Sequence, residues 1–575
     1  MDRGAPRYKT PPAMRRVTHA ALAAAVSTFA LLAACDGCHR GTGKGDAGTV
    51  VAEAGKPTVR LYVVSDLAGA LEPCGCQKDM LGGVDHLGGL VAKESASGIK
   101  DAVLVTVGPT FFMDETIKPE RLEQDGWKAE AIAAGLKSCG LGAVTPGKND
   151  WAGGAKMMGK LRDASGAPFV AANLSGEASA AIVKEVVRDY AGVKVAFLGV
   201  TLPKSPKGAP EGLVIDDATK ALSAAAKKAR ADGARVVVGL AALERGDAIR
   251  AAEAVPELDV LAIGSPFSEG EANDNPKPPR FVGPVLVVQP SNHLTRVSVV
   301  DLFVRDNGRF SDGSGLANAA EVTDLDTQID DLQKRIVNWE KDPTVPKSDI
   351  DAQKKRLAAM KDKLAKAKVP PPTPTGSFLR YQLVDVRDTL GKEPQATAAM
   401  KAYYERVNAF NKDKFKDKKA PPPPKGEAYY VGQENCSPCH TAAFEVWKKV
   451  GHSHAYKTLS DAAKEFNLDC VGCHVTGYDK PGGSTVTDLL SPDLKNVQCE
   501  SCHGPGSKHV VDPTSNSLAS EPEEQVCVGC HHPPHTDVFD YKARKEKILG
   551  PGHGKDGAKP NNDPPKGWKP AKPRF

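Results

Sequence analysis

The chain has 575 residues, 41% of them hydrophobic and 26% charged, with a formal net charge of +5. That mixture is ordinary for soluble globular domains and excludes both a multi-span membrane protein and a wholly disordered chain. The charge is too small to suggest a nucleic-acid binder, and the length suits about three or four domains.

At the N-terminus, Arg15 and Arg16 precede an apolar run from Val17 to Ala34. The run is too short and too Ala-rich for a stable span, so residues 1–34 read as a signal peptide, with Met14 as its natural start. It ends Leu32-Ala33-Ala34-Cys35, which resembles a bacterial lipobox. Cys35 would then be acylated, and two or three acyl chains hold a protein stably on a membrane. Ordinary secretion with cleavage near Ala34 is the alternative. A Cys-x-x-Cys-His match at Cys35-Asp-Gly-Cys38-His39 overlaps this motif, but Cys35 cannot carry both a lipid and a thioether. The signal context favours the lipid. Residues 35–57 read as a flexible tether. The expectation is a lipid-anchored protein of the bacterial cell envelope, facing the periplasm or the outer surface. Such export also accommodates the 13 cysteines, many for a cytosolic protein.

Residues 58–310 alternate short apolar runs with Ala-rich amphipathic segments. Arg60–Ser65, Ala102–Val107, Val193–Val200, Arg235–Leu240 and Leu258–Ile263 are strand-like, with helices such as Asp217–Asp232 between them. The alternation predicts an α/β layered domain. The stretch Ser65-Asp66-Leu-Ala-Gly69, Leu71-Glu-Pro73, Gly82-Gly83, Gly88-Gly89-Leu90, Leu141-Gly-Ala-Val-Thr-Pro-Gly147, Val170-Ala-Ala-Asn173-Leu and Leu258-Asp259 through Gly264 resembles, in order, the metallophosphoesterase domain of secreted 5′-nucleotidases. The resemblance implies a four-layer sandwich and a two-metal phosphate site. Of that site only Asp66 remains. Ala68, Pro109, Ala241-Ala242 and Ser265-Pro266-Phe267 stand where ligands are expected, and Gly147-Lys148-Asn149-Asp150 replaces a Gly-Asn-His motif. The domain's histidines, His86 and His293, lie off the motif positions. The expectation is a kept fold with hydrolysis lost and no catalytic residue. Cys74, Cys76 and Cys139 suit a structural disulfide from Cys139 to one of the pair, with a metal site as the alternative.

Residues 320–369 carry Leu325, Ile329, Leu332, Ile336 and Trp339, then Ile350, Leu357, Met360 and Leu364, at helical spacing on either side of Pro343 and Pro346. They predict an α-helical hairpin, either a self-packed spacer or a partner-binding coiled coil. Residues 370–425 read as a Pro/Lys-rich linker containing a helix near Gln395–Asn411. Residues 555–575 read as a disordered tail.

Residues 426–554 hold the strongest signal. Cys436-x-x-Cys439-His440, Cys470-x-x-Cys473-His474, Cys499-x-x-Cys502-His503 and Cys527-x-x-Cys530-His531 repeat one motif. The chain's composition gives roughly 0.007 such motifs by chance. Two thiols three apart can form thioethers to the haem vinyl groups, and the adjacent histidine falls beneath the iron. Structural zinc or disulfides would use the cysteines but not a histidine after every second one. At about 32 residues per haem, the four haem c groups must themselves be the core. Distal ligands then come from the remaining histidines. His452, His509 and His553 are favoured, with His454 or His535 as a fourth or one iron five-coordinate.

The segments Tyr430-Val-Gly through Cys436, Cys473-His474-Val-Thr-Gly-Tyr478 and Val497-Gln-Cys499-Glu-Ser-Cys502-His503-Gly-Pro-Gly506 resemble the cytochrome c-554 family of tetrahaem proteins. That resemblance implies a mostly helix-and-coil multihaem domain that transfers electrons with bis-His haems, sometimes with one five-coordinate. The function expected is a membrane-anchored tetrahaem cytochrome with redox proteins as partners. The alternatives are an oxidoreductase with one open iron acting on a small nitrogen or oxygen species, and a phosphohydrolase with an attached cytochrome.

Overall fold

Strands such as Val59–Ser65 and Val236–Ala242 are buried along their whole length, so each is covered on both sides. A computed structural model describes residues 55–73, 80–202, 210–266, 272–315, 319–342, 345–369, 372–489, 493–533, 535–536, 539–554 and 566–570. The signal peptide, Cys35, Cys38, Cys74, Cys76 and most of 555–575 lie outside the described residues. Among the described residues no helix is long and apolar enough to cross a membrane.

Two large sheets form. One runs edge to edge through Ser311–Asp312, Phe378–Asp385, Arg296–Phe303, Val59–Ser65, Ala102–Gly108, Leu141–Pro146, Phe169–Val170 and Ile182–Val183. The other runs Lys277–Val282, Val285–Gln289, Val260–Gly264, Val236–Ala242, Val193–Thr201 and Val186–Tyr190. Their central strands are parallel.

Period-two alternation sorts the side chains. Leu61 and Val63 enter the core between the sheets, with Val105, Phe197, Val238 and Val288. Tyr62 and Val64 face the other way, toward helices α1 (Val84–Ala96), α2 (Leu122–Ser138) and α3 (Gly154–Ser165). Helices α4 (Ala218–Ala231) and α5 (Arg245–Ala254) cover the far side of the second sheet. The order is helix, sheet, sheet, helix. Asp217 caps α4 by accepting from Lys220 N at 2.8 Å. The sheets cross closely at Gly199, where a Cβ would lie 1.9 Å from Val170 O.

Helices α6 (Ala319–Lys341) and α7 (Lys347–Ala367) make the hairpin, with Ile329, Leu332 and Ile336 buried. It is inserted between two neighbouring strands of the first sheet, Ser311–Asp312 and Phe378–Asp385. Lys354 pairs with Glu340 across it, and Arg356 reaches Asp385.

The expected linker over 370–425 is corrected. Phe378–Asp385 pairs along its whole length with Arg296–Phe303. The helix expected near Gln395–Asn411 is present as α8 (Pro394–Lys414), but it packs on α2 rather than lying in a linker. The physical reason is a buried ion triad. Arg60 donates to Asp301 at 2.6 and 2.8 Å from the strand on one side, and Arg380 pairs with the same carboxylate from the other. Two guanidinium groups on one buried carboxylate fix this register, because an unpaired member would be costly to bury. Glu393 caps α8 through Ala396 N at 2.6 Å, and Pro394 opens the helix.

The expected bridge from Cys139 is also corrected at its described end. Cys139 is a buried free thiol whose Sγ lies 3.2 Å from Gly135 O, and burial pushes it up to about 12. It points into the core against α1 rather than toward a surface loop.

After residue 426 the chain is short helical turns and loops. A small apolar cluster of Phe415, Tyr456, Val471, Val475, Val486 and Leu489 lies beneath it.

Candidate functional site

Each Cys-x-x-Cys-His motif closes a helical turn. His440 N donates to Cys436 O at 3.0 Å, and His531 N to Cys527 O at 2.9 Å. Val471–Cys473 is a tight turn with His474 directly after it, and Cys499–His503 is one short helix. The two thiols of a motif and its histidine are thereby held together before any group is attached.

The structure brings three motif histidines opposite histidines distant in sequence. Ring centroids are 6.1 Å apart for His440 and His509, 6.2 Å for His531 and His452, and 6.3 Å for His503 and His553. Two imidazoles sharing one metal through Nε2, at bonds of about 2 Å, place their centroids roughly 6 Å apart. The fit therefore holds at three centres. His454 is a member of none of these pairs, and His535 lies 5.6 Å from His532, edge on, with His474 also near enough to act on it electrostatically. His474 differs: among the described residues no imidazole stacks against it.

Backbone carbonyls orient the rings. His474 Nδ1 lies 2.6 Å from Ala455 O, His503 Nδ1 2.5 Å from Ala519 O, His509 Nδ1 2.9 Å from Asn516 O and His553 Nδ1 2.9 Å from Ile548 O. A proton held there leaves Nε2 as the ligating nitrogen. Burial, then neighbouring imidazole, lowers His440, and brings His531 down to about 4; burial alone lowers His452. The neutral form is the one that binds metal.

The motifs also neighbour one another. The thiol of Cys436 lies beside that of Cys499, and the thiol of Cys473 beside that of Cys530, near enough for each pair to shift one another's ionisation. Burial, and then the neighbouring Cys527, push the Cys502 thiol up to about 11. In space the motifs run first, third, fourth, second.

Two acidic residues, one inside a motif and one directly before another, carry no signal of their role in the sequence. Glu500, between Cys499 and Cys502, is buried and accepts from Gly432 N at 2.7 Å, Val431 N at 3.0 Å and Gly506 N at 2.7 Å. It staples the approach to the first motif onto the third. Burial raises its carboxyl against these donors. Asp469, immediately before Cys470, pairs with Arg121 and with Lys128 at 3.1 Å, both beside or on α2. The charge on its own says little, and only the partners reveal the role.

At the strand ends of the α/β layers, Asp66 sits at φ +47°, and its Oδ2 accepts from Ser265 N at 3.0 Å. It lines a cavity of about 150 Å³ with Arg245, Ser265, Asp274, Gln289 and Asn292. His293 N donates to Asp66 O at 2.9 Å, so that histidine lies beside the retained aspartate although its sequence position is off the motif. Asp150 is fully buried and accepts from Phe111 N at 2.7 Å, Gly147 N at 2.9 Å and Thr110 N at 3.0 Å. It ties two strand-end loops together, which gives it a structural task. Among the described residues no group of three or more His, Cys, Asp or Glu side chains is placed to hold a metal ion.

Solved structures similar to this chain include a 5′-nucleotidase precursor from Thermus thermophilus, at 14% identity, covering 76% of this chain and 73% of that one with a TM-score of 0.42. Another is the NAD nucleotidase of Haemophilus influenzae, at 15% identity, covering 53% and 60% with a TM-score of 0.36. In sequence the chain is 36% identical over 110 residues to cytochrome c-554 of Nitrosomonas europaea. That stretch is 16% of this chain, and it spans about half, 46%, of the curated relative. Residues 435–504, which contain the first three Cys-x-x-Cys-His turns, match the family described as cytochrome c554 and c-prime.

Proposed function

We propose that residues 426–554 carry four covalently attached haem c groups and that the protein is an electron relay of the bacterial cell envelope. The observation that supports this reading is the placement of three motif histidines opposite distant imidazoles at the spacing one shared iron needs. In this reading Cys436/Cys439, Cys470/Cys473, Cys499/Cys502 and Cys527/Cys530 form the thioethers. His440 with His509, His503 with His553, and His531 with His452 would hold three irons between them, and His474 would hold the fourth.

Bound haem supplies the reversible one-electron chemistry of iron. The chain's own residues hold the imidazoles neutral, aim Nε2 inward through the carbonyl contacts, and keep successive motifs adjacent. Glu500 fixes the first attachment site against the third. A lipid on Cys35 holds the protein to the membrane, and its partners are redox proteins. The α/β layers do not hydrolyse phosphate esters, because the Asp150 carboxylate is occupied by backbone N–H groups and Asp66 is the motif carboxylate left at the cavity.

His474 favours a second reading. No imidazole stacks on it among the described residues, and His535 is its electrostatic neighbour. If His535 leaves that iron open to a small exogenous ligand, the centre would carry a reaction rather than a relay step. Optical spectra of the purified protein, oxidised and reduced, with and without carbon monoxide, separate the two. Four haems per chain unmoved by carbon monoxide mean a pure relay. Carbon monoxide binding to about a quarter of the haem moves the catalytic reading to the front. An exported protein with no covalent haem overturns both.

A further inference from the structure

The loop Phe466–Cys470 leads into the second attachment turn, and the α/β layers hold it from two sides. From α2, Gln124 Oε1 accepts from Leu468 N at 3.0 Å, and its Nε2 donates to Asn467 Oδ1 at 3.2 Å. From α8, Asn411 Nδ2 donates to Phe466 O and to Gln124 Oε1, each at 2.9 Å, and Asn408 Oδ1 accepts from Phe466 N at 2.9 Å. Gln124, Asn411 and Asn467 are each 1% exposed. Buried amides this fully paired specify one docking geometry.

Charge is concentrated at the same place. Arg121, Gln124, Asp125 and Lys128 fall at helical spacing along one face, from the residue that precedes α2 into its second turn. Arg121 holds Asp125 at 2.8 and 3.0 Å and also pairs with Asp469, while Lys128 reaches Asp469 at 3.1 Å. Asp469 is one peptide bond from the haem-bearing Cys470. Left alone, its carboxylate would favour the oxidised, more positive state of the adjacent centre. The two cations cancel that field, and they are partly buried, where charges act more strongly than in water.

We propose that the α/β layers are a clamp for the His474 centre, and that Arg121 and Lys128 are positioning residues that raise its reduction potential by pairing Asp469. The inference rests on the tetrahaem reading, and it assigns the α/β layers a redox-tuning role in place of hydrolysis.

The test is potentiometric titration of the full-length haem-loaded protein, with haem counted per chain. Lys128→Met should lower the potential of one haem of four and leave three unmoved. Asp469→Asn should raise the same one. The expected size is up to about tenfold in the reduction equilibrium, 59 mV for a one-electron couple. Lys128→Arg should restore the wild-type value, and the double variant K128M/D469N should return toward it. A merely structural contact would shift both single variants in one direction through exposure of the haem. Shifts of the same sign, shifts spread over all four haems, or no shift with four haems present would overturn the inference. If Asp469→Asn fails to mature, the Lys128→Met and Lys128→Arg pair decides alone. Fewer than four haems in the unmodified chain would sink the tetrahaem reading, and with it this inference.

Discussion

The two halves of this molecule are stabilised by different means. In the α/β layers, whole strands disappear between two apolar cores, and Leu61, Val105, Phe197 and Val238 meet there without a polar atom. After residue 426, the described apolar cluster beneath the attachment turns has six buried members, one of which, Phe415, comes from the α8 end. The histidines and cysteines there are half-exposed, and much of the order comes from Glu500 and backbone carbonyls. The first region can fold on hydrophobic burial. The second has a scaffold of polar contacts around space that a cofactor must fill.

The sharpest way to break that comparison is to withhold haem. The full chain produced without haem attachment should keep a protease-resistant α/β unit, while residues 426–554 are cut within minutes. Loss of order there should be greatest away from the Phe466–Cys470 loop, because the small apolar cluster and the contacts of α2 and α8 are the support left without haem. Equal resistance in both halves would show that the second region folds on its own and would undo the contrast.

A narrower test removes one imidazole. His509→Ala should convert about one quarter of the haem from low-spin to a carbon monoxide-binding form, read optically. His454→Ala, which removes a histidine outside the three pairs, should leave the spectrum as it was. An unchanged spectrum for His509→Ala would detach His509 from the His440 centre.

The boundary between the halves is the next target. Gln124→Leu strands the Leu468 N–H and takes one of their partners from Asn467 and Asn411, which keep Asp469 N and Phe466 O, at about 1–3 kcal/mol for the group left unpaired. Hydrogen exchange at the Leu468 amide should accelerate by orders of magnitude, while the strands about Val63 and Val105 stay protected. Faster exchange in those strands as well would mean that the two halves unfold as one.

The sequence made these two regions legible to different depths. Parallel strands such as Val236–Ala242 are readable because they are continuous Val and Leu runs bounded by breaks in hydrophobicity. Phe378–Asp385 is not, because its pairing with Arg296–Phe303 spans the inserted hairpin and is set by Asp301 between Arg60 and Arg380. Without that long-range ion triad, the segment looks like chain between two proline clusters. The attachment turns are readable because thioether chemistry imposes a local spacing. The pairing of imidazoles is not local. Sequence singles out His452, His509 and His553, but only the fold places each opposite a particular motif histidine. Asp469 and Glu500 are invisible in advance, since a carboxylate acquires its role only from donors far along the chain.

The smallest expected effect probes the α/β half by pH. His293 is buried beside Asp66, with Nδ1 2.9 Å from Asn273 Oδ1, and burial, aided by Lys128, brings it down to about 4 from an ordinary 6.5. A histidine kept neutral by folding makes the native state harder to protonate than the unfolded chain. Its contribution is therefore intact above pH 6.5, and it is lost as pH falls from 6.5 toward 4. At ~1.4 kcal/mol per unit, the loss should come to no more than about 3.5 kcal/mol. His293 sits at φ +52°, a conformation that asparagine tolerates better than most residues. His293→Asn should thus keep the backbone turn and remove the titration, so the melting temperature of the α/β half should vary less between pH 7 and 4.5 than in the unmodified protein. The haem half offers an internal control, because its imidazoles are committed to iron in the proposed reading and cannot take up a proton without losing it. A pH dependence that survives His293→Asn would place the acid-sensitive group elsewhere in the layers, and one that follows the haem spectrum would place it in the other half of the molecule.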